Sequence, residues 1–378
     1  MGVERAWRTE LLGNVVTFQR GFDLPAKLRR SGDVPIVSSA GVIDCHHTSM
    51  VRAPGVVTGR YGTIGDLFFL LEPFWPLNTT LYVRDFHGND PRFIYYLLQR
   101  FDFKTFSGKS GVPGVNRHDL HREGVTLPAD PAEQRAIAQA LSDVDALLGV
   151  LDRLIAKKRD LKQAAMQQLL TGQTRLPGFN GEWEVKRLGA CILSRPDYGI
   201  NAAAVPFSDK LPSYLRITDI SDEGRYRPAP RVSVAAADVD RYFLREGDVV
   251  FARTGASVGK SYLYDLRDGK LVFAGFLIRV RPDGKALLPA YLAAYAITSP
   301  YWNWVSLMSM RSGQPGINGN EFAQLLLLLP PPLEQAAIVS ALDAMEEELR
   351  GLEQRRDKTR ALKQAMMQEL LTGRTRLV

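Results

Sequence analysis

The feature that most constrains this chain is an internal repeat at an offset of 201 residues. Residues 133–176 and 334–377 align without a gap and are identical at 23 of 44 positions. Both copies end in Leu-Leu-Thr-Gly-x-Thr-Arg-Leu. Chance does not produce identity of this kind, so the chain contains a duplication.

Each copy of the repeat has the pattern of a long helix. Asp130 and Pro131 predict a capped start and Gly172 a stop, whereas the second copy has Pro331 at the cap position. Apolar residues recur in steps of four and three, the spacing of a coiled-coil seam. The seam residues are Ile137, Leu141, Val144, Leu148 and Leu151, then Ile338, Leu342, Met345, Leu349 and Leu352. The pattern weakens after Leu151 and resumes at Leu161, Ala165 and Leu169.

The segments that precede the helices also repeat. Trp7-Arg-Thr-Glu-Leu-Leu12-Gly13 matches Trp183-Glu-Val-Lys-Arg-Leu188-Gly189, and Ser110-Gly-Val-Pro-Gly-Val-Asn116 matches Ser312-Gly-Gln-Pro-Gly-Ile-Asn318. A coiled coil used only for oligomerisation is the alternative for a single copy. Two copies, each preceded by a globular segment, favour a pseudo-dimer within one chain.

The predicted fold is α+β, with two mixed, strand-rich domains separated by two long antiparallel coiled-coil helices in a pseudo-twofold repeat. The strand-rich character follows from β-branched and aromatic runs with turn glycines. Helices are predicted inside the domains at 91–101 and 288–297. The boundaries are 1–128 for the first domain, 129–176 for the first helical spacer, 177–330 for the second domain and 331–378 for the second spacer.

Charge and composition limit the partners and the compartment. The chain has 48 Lys plus Arg against 41 Asp plus Glu, a net charge of +7, which favours a polyanionic partner without proving one. No run approaches the roughly 18 apolar residues of a membrane span, so a cytoplasmic protein is expected. Cys45 and Cys191 give no disulfide framework. Cys45-His46-His47 lacks a second ligand cluster, so no metal site is predicted.

One glycine-rich segment imitates a nucleotide-binding loop. Gly255-Ala-Ser-Val-Gly-Lys-Ser261 has three residues between its glycines, and a P-loop needs four. The related segment of the first domain ends in Gly65-Asp66 without a lysine. We therefore expect no ATP binding by this chain.

The whole arrangement resembles the specificity subunits of type I restriction-modification systems, in which two target recognition domains alternate with two conserved helical regions. The resemblance covers essentially the whole chain. The first domain departs from it, because Pro35-Ile-Val-Ser-Ser39 stands where the second domain has the family pattern. The motifs that carry the resemblance are the paired Lys-Gln-Ala…Leu-Leu-Thr-Gly segments, Leu127-Pro-x-x-x-x-Glu-Gln134, Leu329-Pro-Pro-Pro-Leu-Glu-Gln335, Tyr214-Leu-Arg-Ile-Thr-Asp-Ile220 and Arg253-Thr-Gly-Ala-Ser-Val-Gly259.

The resemblance implies a non-catalytic protein whose two domains each read one half of a bipartite site in double-stranded DNA. It also implies that the helices set the spacing and dock two methyltransferase (modification) subunits, with restriction/translocase subunits as further partners. Those partners are expected to use S-adenosylmethionine, ATP and magnesium, and this chain is expected to bind no cofactor. The sequence agrees, since it has no amino-methyltransferase motif and no credible nuclease motif. A modification enzyme with its own catalytic domain and a coiled-coil scaffold without DNA specificity are the rival hypotheses.

The candidate DNA contacts lie on glycine-rich turns, where backbone amides and cations can approach phosphate oxygens and arginine or amide side chains can read bases. Asn116 and Asn318 have an alternative role, because each could simply cap a turn. Arg216, on a presumed strand, could instead form a salt bridge with Asp219. The candidates are Ser38, Ser39, Arg60, Tyr61, Thr63, Lys109, Ser110, Asn116, Arg216, Arg253, Thr254, Ser257, Lys260, Arg311, Ser312, Gln314 and Asn318.

Overall fold

The computed structural model describes residues 7–106, 114–310 and 316–377. The chain divides into two compact units: unit 1 is Met1–Arg153 with Glu353–Val378, and unit 2 is Leu154–Leu352. Each unit therefore contains one strand-rich domain, part of the helix that follows it and part of the other long helix. In the part of the chain that is described, no helix combines the length and the apolarity needed to cross a membrane.

Unit 1 is built from three sheets and short helices. The elements are β1 (Trp7–Leu11), α1 (Leu12–Val15), β2 (Thr17–Arg20), β3 (Val34–Ser38), β4 (Gly41–His46), β5 (Gly55–Gly59), β6 (Leu67–Leu70), β7 (Trp75–Pro76), β8 (Thr80–Asp85), α2 (Pro91–Leu98), α3 (Arg117–His121), β9 (Gly124–Pro128) and α4 (Pro131–Leu170), which continues into unit 2. The four-stranded sheet has the order β2-β8-β5-β6, the three-stranded sheet the order β4-β3-β7, and β1 pairs with β9. All five residues of β5 are buried, as expected for an inner strand with packed layers on both faces.

Unit 2 repeats this plan. The elements are β10 (Glu184–Arg187), β11 (Asp197–Tyr198), β12 (Ala204–Pro206), β13 (Ser213–Leu215), β14 (Val232–Val234), β15 (Val249–Ala252), β16 (Ser261–Leu263), β17 (Leu271–Phe273), β18 (Leu277–Val280), α5 (Pro289–Tyr295), α6 (Ser299–Ser309), α7 (Gly319–Ala323), β19 (Leu326–Leu329) and α8 (Pro332–Leu370), which ends in unit 1. The sheets have the orders β11-β18-β15-β16 and β12-β14-β13-β17, and β10 pairs with β19.

The duplication extends to the strand pairing. In unit 1 the parallel pair is β3 with β7, and in unit 2 it is β13 with β17. The other strand pairs of these sheets are antiparallel in both units, and β5 and β15 hold the same place in the four-stranded sheets. The α+β fold predicted from the repeat is confirmed, with β12 as an additional strand in unit 2.

The predicted short helices are present but end early. The one expected at 91–101 is Pro91–Leu98, started by Asp90, whose carboxylate accepts hydrogen bonds from two backbone amides of the first turn. The one expected at 288–297 is Pro289–Tyr295. Sequence analysis missed α6, whose aromatic side chains pack on the sheet of unit 2 through Tyr301.

The long helices run antiparallel to each other within each unit. Side-chain pairs show this in unit 1, where Asp145 meets Lys363 and Asp152 meets Arg356. The predicted start of α4 is confirmed, because the Asp130 carboxylate accepts a hydrogen bond from the Ala132 amide at 2.8 Å. The glycine stop at Gly172 is also confirmed, with a φ of +72° in the two-residue turn after the helix.

The apolar seam follows the prediction only in part. Ile137, Leu141 and Leu151 are buried, but Leu161 is 46% exposed, so its assignment to the seam is wrong. Ile155 and Met166 are buried in its place, and Leu169, which the predicted seam includes, is buried as well. Between them, ion pairs replace apolar contacts, which explains why the pattern weakens. These pairs join Lys158 to Glu348 and Lys162 to Glu346 in unit 2, and burial lowers the pKa of Lys162.

A buried glutamate joins the long helices to the strand-rich domain in unit 2. Glu334, in the first turn of α8, is fully buried and accepts two hydrogen bonds from Arg175 at 2.5 and 2.6 Å. The indole of Trp183 also donates to Glu334, at 3.2 Å. We call this arrangement the glutamate clasp of unit 2. It links the start of α8, the segment after α4 and the strand-rich domain.

Unit 1 has the same clasp from the other copy of each motif. Glu133 accepts hydrogen bonds from Arg376 at 2.6 and 2.9 Å, and Trp7 donates at 3.4 Å. The neighbouring glutamines also act alike: Gln134 accepts from the Asp90 amide and Gln335 from the Leu288 amide. The repeated Glu-Gln, Trp and Thr-Arg-Leu motifs therefore have a structural role.

Candidate nucleic-acid interface

In unit 2 the candidate interface begins where β15 ends. Arg253 follows this inner strand, and its backbone is fixed on two sides. Its amide donates to the Phe276 carbonyl at 3.0 Å, and its carbonyl accepts from the Ile317 amide at 2.9 Å. The guanidinium lies over the ring of Tyr198, with its central carbon 4.8 Å from the ring centroid.

Unit 1 places Arg60 in the same way after β5. The Arg60 amide donates to the Thr79 carbonyl at 2.8 Å, and its carbonyl accepts from the Val115 amide at 3.0 Å. Its guanidinium lies 4.5 Å from the ring centroid of the adjacent Tyr61. The two units thus present an arginine with the same backbone environment, each stacked on a tyrosine.

Neither arginine has a carboxylate partner among the residues that the structure describes. Stacking on tyrosine orients a guanidinium without using its hydrogen-bond donors. An oriented arginine with free donors can bind a phosphate or the edge of a guanine.

Other candidates of unit 1 gather around Gly59. A Cβ at this position would lie 1.7 Å from the Thr63 carbonyl oxygen and 3.1 Å from Cβ of Ser39. Ser38 instead serves the β3–β4 turn, where its hydroxyl donates to the Gly41 carbonyl at 3.1 Å. The structure therefore brings Ser39 and Thr63 next to the Arg60 turn and assigns Ser38 a local hydrogen bond.

The glycine-rich loop of unit 2 continues from Arg253. Gly255–Ser257 form one turn of 3-10 helix, and Thr254 pairs with Gly316 through an isolated bridge. Lys260 is bound to the carboxylate of Asp222 at 2.7 Å, and Asp222 is largely exposed. A strand, β16, follows Lys260, whereas a P-loop lysine leads into a helix. This loop therefore lacks the geometry that holds a nucleotide phosphate.

Asn116 and Asn318 both act as helix caps. The Asn116 side chain accepts from the His118 amide at 3.0 Å, and that of Asn318 accepts from the Glu321 amide at 3.0 Å. Glu321 returns a hydrogen bond by accepting from the Asn318 amide, which completes a capping box. The capping alternative considered for these residues is therefore observed.

Arg216 lies just beyond its predicted strand. β13 ends at Leu215, and Arg216 starts a 3-10 turn whose buried Asp219 accepts two hydrogen bonds from the guanidinium, at 3.0 and 2.7 Å. These hydrogen bonds raise the pKa of Arg216. The placement on a strand is wrong by one residue, and the salt bridge considered from the sequence is present.

Some candidates fall outside the described residues, and two contacts were missed from the sequence. Lys109, Ser110, Arg311, Ser312 and Gln314 lie outside the described ranges. Tyr198 and Phe276 were missed, because nothing in their local pattern shows that they meet Arg253 across a sheet. Within 7–106, 114–310 and 316–377, no group of three or more His, Cys, Asp or Glu residues could hold a metal.

Comparison with protein families and curated proteins gives consistent matches. Residues 4–157 match the family model for the type I restriction modification DNA specificity domain. The specificity subunit of the EcoKI enzyme of Escherichia coli is 32% identical over 114 residues, which cover 29% of this chain and 24% of that protein. The StySPI specificity subunit of Salmonella potsdam is 22% identical over 264 residues, covering 65% and 55%. These two matches span less than two thirds of the relatives' own lengths.

Solved structures show the same fold over nearly the full length. The type I restriction-modification S subunit of M. genitalium superposes with a TM-score of 0.61 at 13% identity, covering 98% of this chain and 97% of that chain. A chain from a study of complex assembly and conformational transition in the type I R-M system gives 0.60 at 19% identity, covering 98% and 99%. Residues 4–157 therefore carry a type I restriction modification DNA specificity domain, and nearly the whole chain is similar in fold to type I restriction-modification S subunits.

Proposed function

We propose that this chain reads a bipartite DNA sequence, with each unit contacting one half through the turn that contains Arg60 or Arg253. The observation that carries the proposal is the recurrence of one arginine geometry in both units. In each, the arginine follows an inner strand, is held by backbone hydrogen bonds on both sides and stacks on a tyrosine. The net charge of +7 supports a polyanionic partner.

The chain has no catalytic role in this proposal. Methyltransferase subunits supply methylation with S-adenosylmethionine, and restriction/translocase subunits use ATP and magnesium. The relatives support this assignment, because they are specificity subunits. The loop at Lys260, which leads into a strand, also counts against nucleotide chemistry in this chain.

The docking surface for the methyltransferase subunits is the outward side of α4. In unit 1 this helix exposes Leu147 and Val150, and in unit 2 it exposes Leu154 and Leu161. Their spacings of three, four and seven residues follow a helical stripe that the seam does not use. Exposed apolar residues at this spacing suit a partner helix. The helices also set the spacing of the half-sites, because a 40-residue helix is about 60 Å long.

Removing either arginine should weaken DNA binding by the assembled methyltransferase. If each contacts one phosphate, Arg60→Ala and Arg253→Ala each lower the slope of log affinity against log salt by about one. Arg267→Ala is the matched control, since this exposed arginine is already paired with Asp265. Titrations of labelled duplex at several salt concentrations measure the slope. Slopes equal to the control in both variants would show that these turns do not meet phosphates.

A substitution at Asn318 distinguishes a structural role, as a helix cap, from a role in base recognition. Asn318→Ala should cost about 1 kcal/mol of stability through loss of the helix cap and leave the methylated sequence unchanged. Asn320→Ala, an exposed position of the same helix, serves as the control. Denaturant unfolding and methylome sequencing give the two readouts. A changed methylated base in the Asn318 variant alone would assign this residue to base recognition.

A further inference from the structure

Unit 2 has a large, exposed apolar residue, Phe276, next to Arg253. Phe276 is 59% exposed, on the turn that joins β17 to β18. Scattered exposed apolar residues are common, so exposure alone assigns no role. The backbone of this turn, however, is fixed at several points, and one of them is a hydrogen bond with Arg253, the candidate DNA-contacting arginine.

Hydrogen bonds hold the turn of Phe276 on both sides. The Gly275 amide donates to the Ile200 carbonyl at 2.8 Å, and the Leu277 amide donates to the Ala274 carbonyl at 2.9 Å. The Phe276 carbonyl itself accepts from the Arg253 amide. A side chain on such a turn loses little additional backbone freedom when it binds a ligand.

The strand pairing brings Phe276 and Arg253 to the same end of the sheet. β15 and β18 are antiparallel, and their ladder ends with Ala252 opposite Leu277. Arg253 and Phe276 are the next residues of the two segments, and the Arg253 amide donates a hydrogen bond to the Phe276 carbonyl at 3.0 Å. Tyr198, on which Arg253 stacks, belongs to β11, the other strand that pairs with β18. The exposed phenylalanine therefore lies beside an arginine that a tyrosine orients.

We propose that Phe276 is a stacking wedge, which inserts at a base step of the half-site that unit 2 contacts while Arg253 binds beside it. Apolar wedges of this kind unstack a base step and bend the duplex, and flexible pyrimidine–purine steps cost least to deform. The inference rests on the proposed function and adds recognition through DNA deformability. It applies to one half-site, because the residue at this place in unit 1 is Thr79, whose carbonyl accepts from the Arg60 amide.

The test uses the chain assembled with its methyltransferase subunits and duplexes that carry its methylated sequence. 2-Aminopurine replaces one base at a time through both half-sites, and its fluorescence rises where stacking is lost. The proposal expects a rise within the half-site of unit 2, abolished by Phe276→Ala and retained by Phe276→Trp. Phe276→Ala should also weaken duplex binding roughly 5- to 150-fold, the usual effect of removing one stacking aromatic.

The matched control is Leu193→Ala, which removes another largely exposed apolar side chain, 71% exposed, near the opposite end of β18. Equal affinities of the Phe276→Ala and Leu193→Ala complexes, or no fluorescence rise in that half-site, would overturn the proposal. A loss of methyltransferase assembly in Phe276→Ala, measured by size-exclusion chromatography without DNA, would overturn it in favour of a protein contact. If Arg253→Ala weakens binding while Phe276→Ala does not, the wedge fails and the proposed function stands.

Discussion

Arg175→Ala is expected to lower the free energy of unfolding by about 3 kcal/mol, because it leaves the Glu334 carboxylate buried without its cation. Breaking a buried ion pair by removing one partner typically costs about 3–5 kcal/mol. The lower end applies here, since Arg175 is partly exposed and water can enter the space that it leaves. The indole of Trp183 alone cannot neutralise the carboxylate. Urea unfolding of the full chain, followed by circular dichroism, measures the change.

Arg374→Ala provides the control for this experiment. Arg374 pairs with Glu369 on the surface, where ion pairs contribute between 0 and about 1 kcal/mol. Arg175→Ala and Glu334→Ala together should be less than additive, because both remove the same clasp. A cost for Arg175→Ala within about 0.5 kcal/mol of the Arg374→Ala cost would contradict the assigned role of the clasp.

The long helices were predictable because their signals are local and repeated. Asp130 and Pro131 predict the start of α4, and Gly172 predicts its end. In the structure the Asp130 carboxylate caps the first turn, and Gly172 has a positive φ just after the helix. The seam was less predictable, since Leu161 fits the periodic pattern and yet faces outward. Periodicity cannot show that Lys158 and Lys162 occupy the contact between helices, because that depends on acidic partners far along the chain.

The sequence predicts a residue of the candidate site only where the position of that residue depends on its neighbours in the chain. Arg60 and Arg253 follow buried strands in glycine-rich segments, and both occupy equivalent turns. Arg216 is also an arginine, but β13 ends just before it and its guanidinium pairs with Asp219, whereas Asn318 caps α7. Phe276 could not be found, because its neighbour Arg253 is brought to it by strand pairing.

Replacing residues 14–126 with the corresponding segment of another family member is expected to change one half of the methylated sequence and leave the other half intact. The exchange removes the Arg60 turn and retains Trp7, Glu133 and Arg376, so the clasp of unit 1 is preserved. It also leaves every residue of unit 2 unchanged. A complete change of specificity in one half is the largest functional effect that this account predicts.

The most direct test of the central claim is methylome sequencing of a host that expresses the exchanged chain with its methyltransferase subunits, beside the same host with the original chain. Two separately reading units predict a new methylated sequence in which one half is replaced, while the half read by unit 2 keeps its bases. A change in the bases of both halves, with methylation still active, would show that the two units do not read DNA independently.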